Sequence, residues 1–308
     1  MSGLDSEQLD ELELRVAEFL ERPWESATGR PRELTLREAI IVASGYARQN
    51  IIEDIWAEIF DISQPSVSRI ITELTPLIEK ATAGFRPDAE EARAAASGQT
   101  VLVDGFLAPC WSWRGIPGLW SGKHKTTGFC SQVISDMAGD VIFVSEPLTG
   151  HNHDMTVLSE TKTAEIIAAA FSGIADKGYQ GSGYITPIKK PQYRDLLDWE
   201  KEFNADVSRL RAPVERAIAH IKSWRILHTD YRRPLDTYLT SFRAAIGLYF
   251  FKLSCRVAGG IAAPGSHGTE RDSLPSFRSS HPFQLNARVS SHWANRPGSR
   301  SMSPVHHF

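Results

Sequence analysis

Cysteine is scarce in this chain, with three in 308 residues: Cys110, Cys130 and Cys255. No two lie close together, so they supply neither a CxxC pair for zinc nor a disulfide framework. Reduced thiols in an intracellular protein are the simplest expectation. Long apolar runs are also missing. The longest, AAIGLYFFKL at 244–253, is about half the length that crosses a bilayer. The opening MSGLDSEQLDELELR is acidic and has no apolar signal core, which points to a soluble cytoplasmic protein. An excess of positive charge is absent too, with 34 Lys and Arg against 37 Asp and Glu. Bulk charge therefore makes no case for an anionic partner, and any such case must be local.

The near-neutral sum hides an asymmetry. Residues 1–85 hold 8 basic and 16 acidic side chains, residues 99–253 hold 18 and 16, and residues 254–308 hold 6 and 2. With 42% hydrophobic residues, most of the chain can bury an ordinary core, and its length suits two domains. Helical spacing marks residues 7–21, through Leu9, Leu12 and Val16, and 34–50, where Thr35 and Glu38 read as a capping box. A helical domain is expected over 1–82. The small, polar stretch 83–99 reads as a linker.

From residue 100 the period becomes strand-like. TVLVDGFLA, TTGFCSQVISD and DVIFVSEPL read as an antiparallel meander, HDMTVLSETKTAEIIAAAF (153–171) as one helix, and GIADKGY (173–179) as a short buried strand. Helices over 210–227 and 235–253 follow. Such an order predicts a mixed α/β sheet flanked by helices over 100–253. Residues 254–308 contain 11 Ser, 5 Pro and 5 Gly but no Lys, a composition expected to leave that tail disordered.

Two regions carry chemistry. The first, EDIWAEIFDISQPSVSRIIT (53–72), has the layout of a helix-turn-helix spanning 53–80. Ala57 is the small residue at the crossing, and Ile55, Trp56, Ile59, Ile62, Val67 and Ile70 are spaced to pack the two helices. Asp61 tolerates the left-handed turn conformation, Ser63 can cap and Pro65 suits a first turn. Gln64, Ser66, Ser68 and Arg69 would face outward, with types suited to base edges and phosphates. An ordinary packed helical pair is the alternative.

The second region is LRAPVERAIAHIKSWRIL (210–227). At about 100° per residue, Arg211, Glu215 and Lys222 fall within an arc of about 40°, beside an apolar face of Val214, Ala217, Ile221 and Trp224. A lone acid between cations is ordinarily a solvated helix edge. Two other acids change that reading, because Asp104 ends the run VLVD and Asp176 ends GIAD, where a sheet presents residues to a cleft. Each alone is also compatible with a turn. Three acids on separate elements could hold hard divalent cations for displacement at phosphorus, while Arg211 and Lys222 grip phosphate.

With VDG at 103–105, GHNHD at 150–154, DKGY at 176–179 and Arg211, Glu215 and Lys222 in one register, the chain resembles the DDE transposases of bacterial insertion sequences. The resemblance is to the group related to Harbinger elements and covers about residues 34–253. It implies an RNase H-like catalytic domain, preceded by the small all-α helix-turn-helix domain. Asp104, Asp176 and Glu215 would be both catalytic residues and ligands of Mg²⁺, or Mn²⁺ in its place. The implied partners are double-stranded DNA, as terminal inverted repeats and target, and further copies of the chain, at least a homodimer. Neither a membrane nor a small-molecule cofactor is expected, and the location is the bacterial cytoplasm at the nucleoid. Ser208 stands where family members often have Tyr.

His153 and Asp154 of GHNHD are expected to support the site from behind, with Asn152 or Asp154 capping the helix that follows. Lys123 and Lys125 in SGKHKTTG, with Arg114 and Trp120, are expected at a DNA-contacting hairpin, or else in a plain solvated loop. A non-catalytic DNA-binding protein (a regulator or a transposase remnant) and a host nuclease on the same fold are the competing functions.

Overall fold

A computed structural model describes residues 1–25, 31–111 and 116–258. The chain begins with helix α1 (Ser6–Glu18), whose start is closed by a capping box between Asp5 and Gln8. Helix α2 (Leu36–Gln49) begins in the same way at Thr35 and Glu38, as their spacing predicts. Helices α3 (Glu53–Phe60) and α4 (Gln64–Thr82) follow. Asp61 joins them with φ 50° and ψ 46°, a conformation that Asp adopts more readily than most side chains. The Ser63 hydroxyl accepts the Ser66 N–H at the start of α4.

The packing of α3 differs from the expected pattern. Trp56 and Ala57 face inward, whereas Ile55 and Ile59 remain 43% and 46% exposed. The indole of Trp56 sets the rotation of the helix. It lies so close over Gly45 of α2 that a Cβ there would come within 2.3 Å of the ring. With Trp56 and Ala57 together forming the inward face, Ile55 and Ile59 lie about 150° and about 110° around the helix from its middle and so turn out.

Residues 83–99, expected as a linker, fold into a 3₁₀ turn (Ala83–Phe85) and helix α5 (Ala89–Ala96) capped by Asp88. Ala92 and Ala96 of α5 are fully buried. Two alanines four apart make a stripe narrow enough to pack closely, and α5 uses it against helix α7 (Thr163–Ala169).

The sheet has strands β1 (Thr100–Pro109), β2 (Trp120–Ser121), β3 (Thr126–Ser135), β4 (Val141–Val144), β5 (Leu148–Thr149) and β6 (Ser172–Ala175). Their order is β2-β3-β1-β6, with β4 and β5 also pairing to β3. β1 and β3 are antiparallel and β1 and β6 parallel, so the protein is mixed α/β with helices flanking a mixed sheet. The expected meander is present, with one change: β1 runs on past Asp104 and Gly105, so Asp104 lies mid-strand. The helix expected over 153–171 is broken into α6 (Asp154–Glu160) and α7. At the break the Thr161 and Thr163 hydroxyls bond each other at 2.7 Å, and the Thr163 N–H also turns to the Thr161 hydroxyl. Hydroxyls that recruit local polar groups in this way compete with the helix ladder.

Helix α8 (Asp198–Ile221) crosses the sheet and buries Val214, Ala217 and Ile221, the face predicted for it. Trp224 just beyond its end is 1% exposed. At its start the Glu200 carboxylate accepts two bonds from Arg194, at 2.6 and 2.7 Å, and the Leu197 N–H at 2.7 Å. The Arg194 bonds first, and then the Leu197 amide, hold this carboxyl at about 2, below its ordinary 4.5. A depressed acid stabilises the fold above its unfolded pKa and loses that contribution as pH falls from about 4.5 toward 2. Glu200→Gln is therefore expected to lower Tm at pH 7, with the difference from wild type vanishing below that window. An equal loss at every pH would assign the effect to packing.

Helix α9 (Tyr238–Ala258) closes the described chain. It crosses α4 so tightly that a Cβ on Gly247 would lie 2.1 Å from the Thr82 hydroxyl. Arg233 ties the two parts together, donating to Glu53 at 2.6 Å and to Thr72 at 2.7 Å. One apolar cluster runs from Leu12 through Phe106 to Phe251, and the described residues belong to one compact unit. Among the described residues no helix is long and apolar enough to cross a membrane. α9 carries helix five residues beyond 253, and the rest of the predicted tail lies outside the described residues.

Candidate active site

Strand register places the first two predicted acids side by side. Val103 pairs with Ala175 in the parallel β1–β6 ladder, so the next residues, Asp104 and Asp176, are neighbours. Asp176 caps the 3₁₀ turn Lys177–Tyr179, accepting the Gly178 N–H at 2.7 Å. Asp104 accepts its neighbour Gly105 N–H at 2.8 Å and Arg211 Nη2 at 2.7 Å. Glu215, one turn along α8, is 3.8 Å from that same nitrogen, with its side chain 57% exposed. Arg211 thus stands between the first and third acids.

A second cation divides another pair. Lys123 Nζ is 2.8 Å from Asp154 and 3.9 Å from Asp176. Asp154, expected behind the site, therefore belongs to the acid group itself. The glycines explain how the acids come so close. A Cβ on Gly178 would lie 2.3 Å from Asp154 Oδ2 and 2.9 Å from Asp176 Oδ1, and one on Gly105 would lie 3.1 Å from Asp154 Oδ1. In DG and DKG, glycine makes room for carboxylates; it reads from sequence as a turn former.

Burial pushes the Asp104 carboxyl up, against the opposing charge of Arg211 and the Gly105 hydrogen bond. Burial pulls the Lys123 ammonium down, but its bond to Asp154 and the charges of Asp154, Asp176 and Asp104 outweigh it, and the net shift is upward. Lys222 caps the end of α8 with its ammonium 5.7 Å from the Phe106 ring centre. Burial lowers its pKa, partly countered by Asp104.

Sequence reasoning missed Gln132. It is 1% exposed in β3, and its amide donates to the Asp154 carbonyl at 2.7 Å and the Tyr179 hydroxyl at 2.9 Å. It thereby ties GHNHD to DKGY. A large amide beside Val133 and Ile134 in the middle of a strand was the one available signal.

Other predicted residues are placed differently. His153 is the N-cap of α6 but makes no side-chain capping bond. Neither Asn152 nor Asp154 caps: Asn152 donates back to Thr149, and Asp154 is drawn to Lys123. Lys125 sits exposed in the β2–β3 hairpin with φ 55°, and Arg114 lies outside the described residues. On α4, Gln64 donates to Glu53 at 2.5 Å, Ser66 pairs with Ser63 at 2.9 Å, and Arg69 is exposed.

Oxygen donors of this kind suit a hard divalent cation. Among the described residues, no three His, Cys, Asp or Glu side chains gather as closely as a metal shell requires. Like charges at short range repel, and here Arg211 and Lys123 lie between the carboxylates. The donor chemistry fits such an ion, with two side-chain cations placed among the donors.

The family described as DDE superfamily endonuclease matches residues 103–249. A protein of Streptomyces albus G, assigned as the transposase of insertion sequence element IS112, is 29% identical over 202 residues, covering 65% of this chain and 73% of that one. Another, of Microchaete diplosiphon and assigned to element IS702, is 33% identical over 144 residues, 44% of this chain and 51% of its own. Over residues 103–249 this chain is thus similar to the DDE superfamily endonucleases, and over the matched lengths it is similar to insertion-sequence transposases. No solved structure matches it at the same stringency. The family match opens one residue before Asp104 and ends inside α9, so it contains every acid of the site and leaves α1 to α5 outside.

Proposed function

We propose that the chain binds the terminal inverted repeats of its own mobile element, cleaves phosphodiesters there and joins the freed 3′-hydroxyl to target DNA. The observation that carries this reading is the β1–β6 register, which sets Asp104 beside Asp176, with Arg211 of α8 bonded to Asp104. Asp104, Asp176 and Glu215 would hold a divalent cation, Mg²⁺ or Mn²⁺. When bound, that cation supplies Lewis acidity and positive charge for displacement at phosphorus. Arg211 and Lys123, paired with carboxylates here, would turn to the phosphates of DNA, where a guanidinium makes two parallel bonds. Lys222 adds charge beside them. Asp154 and Gln132 would hold the GHNHD and DKGY segments in register.

The α3–turn–α4 pair is the proposed helix-turn-helix, with Ser66 and Arg69 toward DNA and Gln64 joining them on release from Glu53. The Harbinger-related placement, assembly as a dimer or higher oligomer on DNA, and a place at the nucleoid belong to the same reading. A non-catalytic DNA-binding protein would have no use for this arrangement of acids and cations.

Incubation with duplexes carrying the inverted repeats that flank the gene tests the function. Nicking and joining are expected with Mg²⁺ or Mn²⁺ and neither with EDTA; binding without any cleavage would favour the regulator. Arg69→Ala is expected to weaken binding uniformly and lower the salt slope by about 1, as loss of one phosphate contact does. Because Arg69 is exposed, Tm should hold. Unchanged binding would remove α4 as the DNA-reading helix.

A further inference from the structure

We propose that a second DNA-backbone site lies in the cleft where α2 meets the end of α8. The inference rests on the transposase reading. Arg48, Gln49, Lys222, Ser223, Arg225 and His228 line this cleft, and no carboxylate does. Arg48 is held in place. Its guanidinium donates to the Ser223 hydroxyl and lies 5.4 Å from the Trp224 ring centre, with Gly3 packed against its stem. Burial, and then the charge of Arg225, lower its pKa. Two guanidiniums therefore line one cleft, and among the described residues neither forms an ion pair.

Helix ends account for only part of this charge. Arg48 is in the last turn of α2 and Lys222 caps α8, and cations are favourable at helix C-termini. Each terminus offers only about half a negative charge, so two termini offset about one of the three cations. The remainder has no partner in the described structure. A cleft lined by one sign of charge focuses the field and draws the opposite sign.

The ligand must be anionic and extended. The cleft is open, bordered by α2 of the N-terminal helices on one side and by Lys222 on the other, and Asp104 acts on Lys222. Duplex DNA held by α4 and reaching the acids would bring its phosphates past this seam. Arg48 is pre-positioned by Trp224 and Ser223 for a phosphate oxygen, and Arg225, exposed and without an ion pair, is the second donor.

Salt dependence of binding to a long random-sequence duplex tests this in the full chain, since each phosphate contact contributes about 0.9 to the slope of log K against log salt. Arg225→Gln is expected to lower the slope by about 1, the double variant Arg48→Gln/Arg225→Gln by about 2, and Arg225→Lys to restore most of the first loss. Arg225 makes no side-chain hydrogen bond among the described residues, so its variant keeps the wild-type Tm even if Arg48→Gln disturbs the seam. If Arg69→Ala weakens binding while Arg225→Gln and the double variant match wild type in slope and affinity, this site is overturned and the transposase reading stands. A wild-type chain without salt-dependent affinity for DNA overturns both.

Discussion

Asp104→Asn, Asp176→Asn and Glu215→Gln are each expected to abolish strand cleavage on element ends while binding to those ends persists. Each substitution keeps the side chain's size and one acceptor and removes the charge that attracts a divalent cation. A loss of at least about 1,000-fold corresponds to about 4 kcal/mol of transition-state stabilisation, within reach of a site whose catalysis rests on charge. The losses should not add: a double variant should be no worse than the singles, because the acids act on one ion.

Binding should survive because none of the three side chains touches α3 or α4. Asp104 bonds Gly105 and Arg211, Asp176 bonds Gly178, and Glu215 is half exposed beside Arg211. Asp154→Asn is the comparison, expected to reduce cleavage only in part although Asp154 shares Lys123 and the space at Gly178 with Asp176. Strand nicking on end DNA, with binding followed in parallel, decides the matter. An inactive Asp154→Asn with an active Asp176→Asn would exchange the roles of the two aspartates.

Trp56→Ala is expected to cost about 3–5 kcal/mol of stability, the range for removing a large aromatic from a core. Trp56 is fully buried and its ring fills the space left by Gly45. No rearrangement within α2 can refill it, since the residue beneath has no side chain. Against a total stability of about 5–15 kcal/mol, that loss takes much of the fold. Trp56→Phe should cost far less: it keeps most of the ring and removes an indole N–H that has no hydrogen-bond partner in the described structure. Chemical denaturation measures both. Similar losses for Phe and Ala would mean that the indole, and not ring volume, secures the helix.

Local physics was legible in the residues. Thr35 with Glu38, Asp61, and Ser63 before Pro65 act within a turn of themselves, so their effects depend on few other residues: α2 begins at Thr35, α3 ends at Asp61 and α4 begins after Ser63, as these residues direct. The buried face of α8 follows in the same way from the spacing of Val214, Ala217 and Ile221. Where local signals left freedom, expectation and structure part. Small polar residues at 83–99 resembled a linker, yet Ala92 and Ala96 find a partner in α7. Ile55 and Ile59 had the right spacing to pack, but one indole over one glycine decided which way α3 turned.

The acid site divides along the same line. Residue type and neighbouring motifs singled out Asp104, Asp176 and Glu215 before any fold was known. Only the tertiary structure put Lys123 between Asp154 and Asp176, set Arg211 between Asp104 and Glu215, and joined GHNHD to DKGY through Gln132. Those contacts depend on strand register and on the absence of a Cβ at Gly105 and Gly178. A one-residue slip would turn each side chain to the other face of the sheet. Sequence determines which charges exist; the distances between charges far apart in the chain, on which their energies depend, are set by how the elements pack.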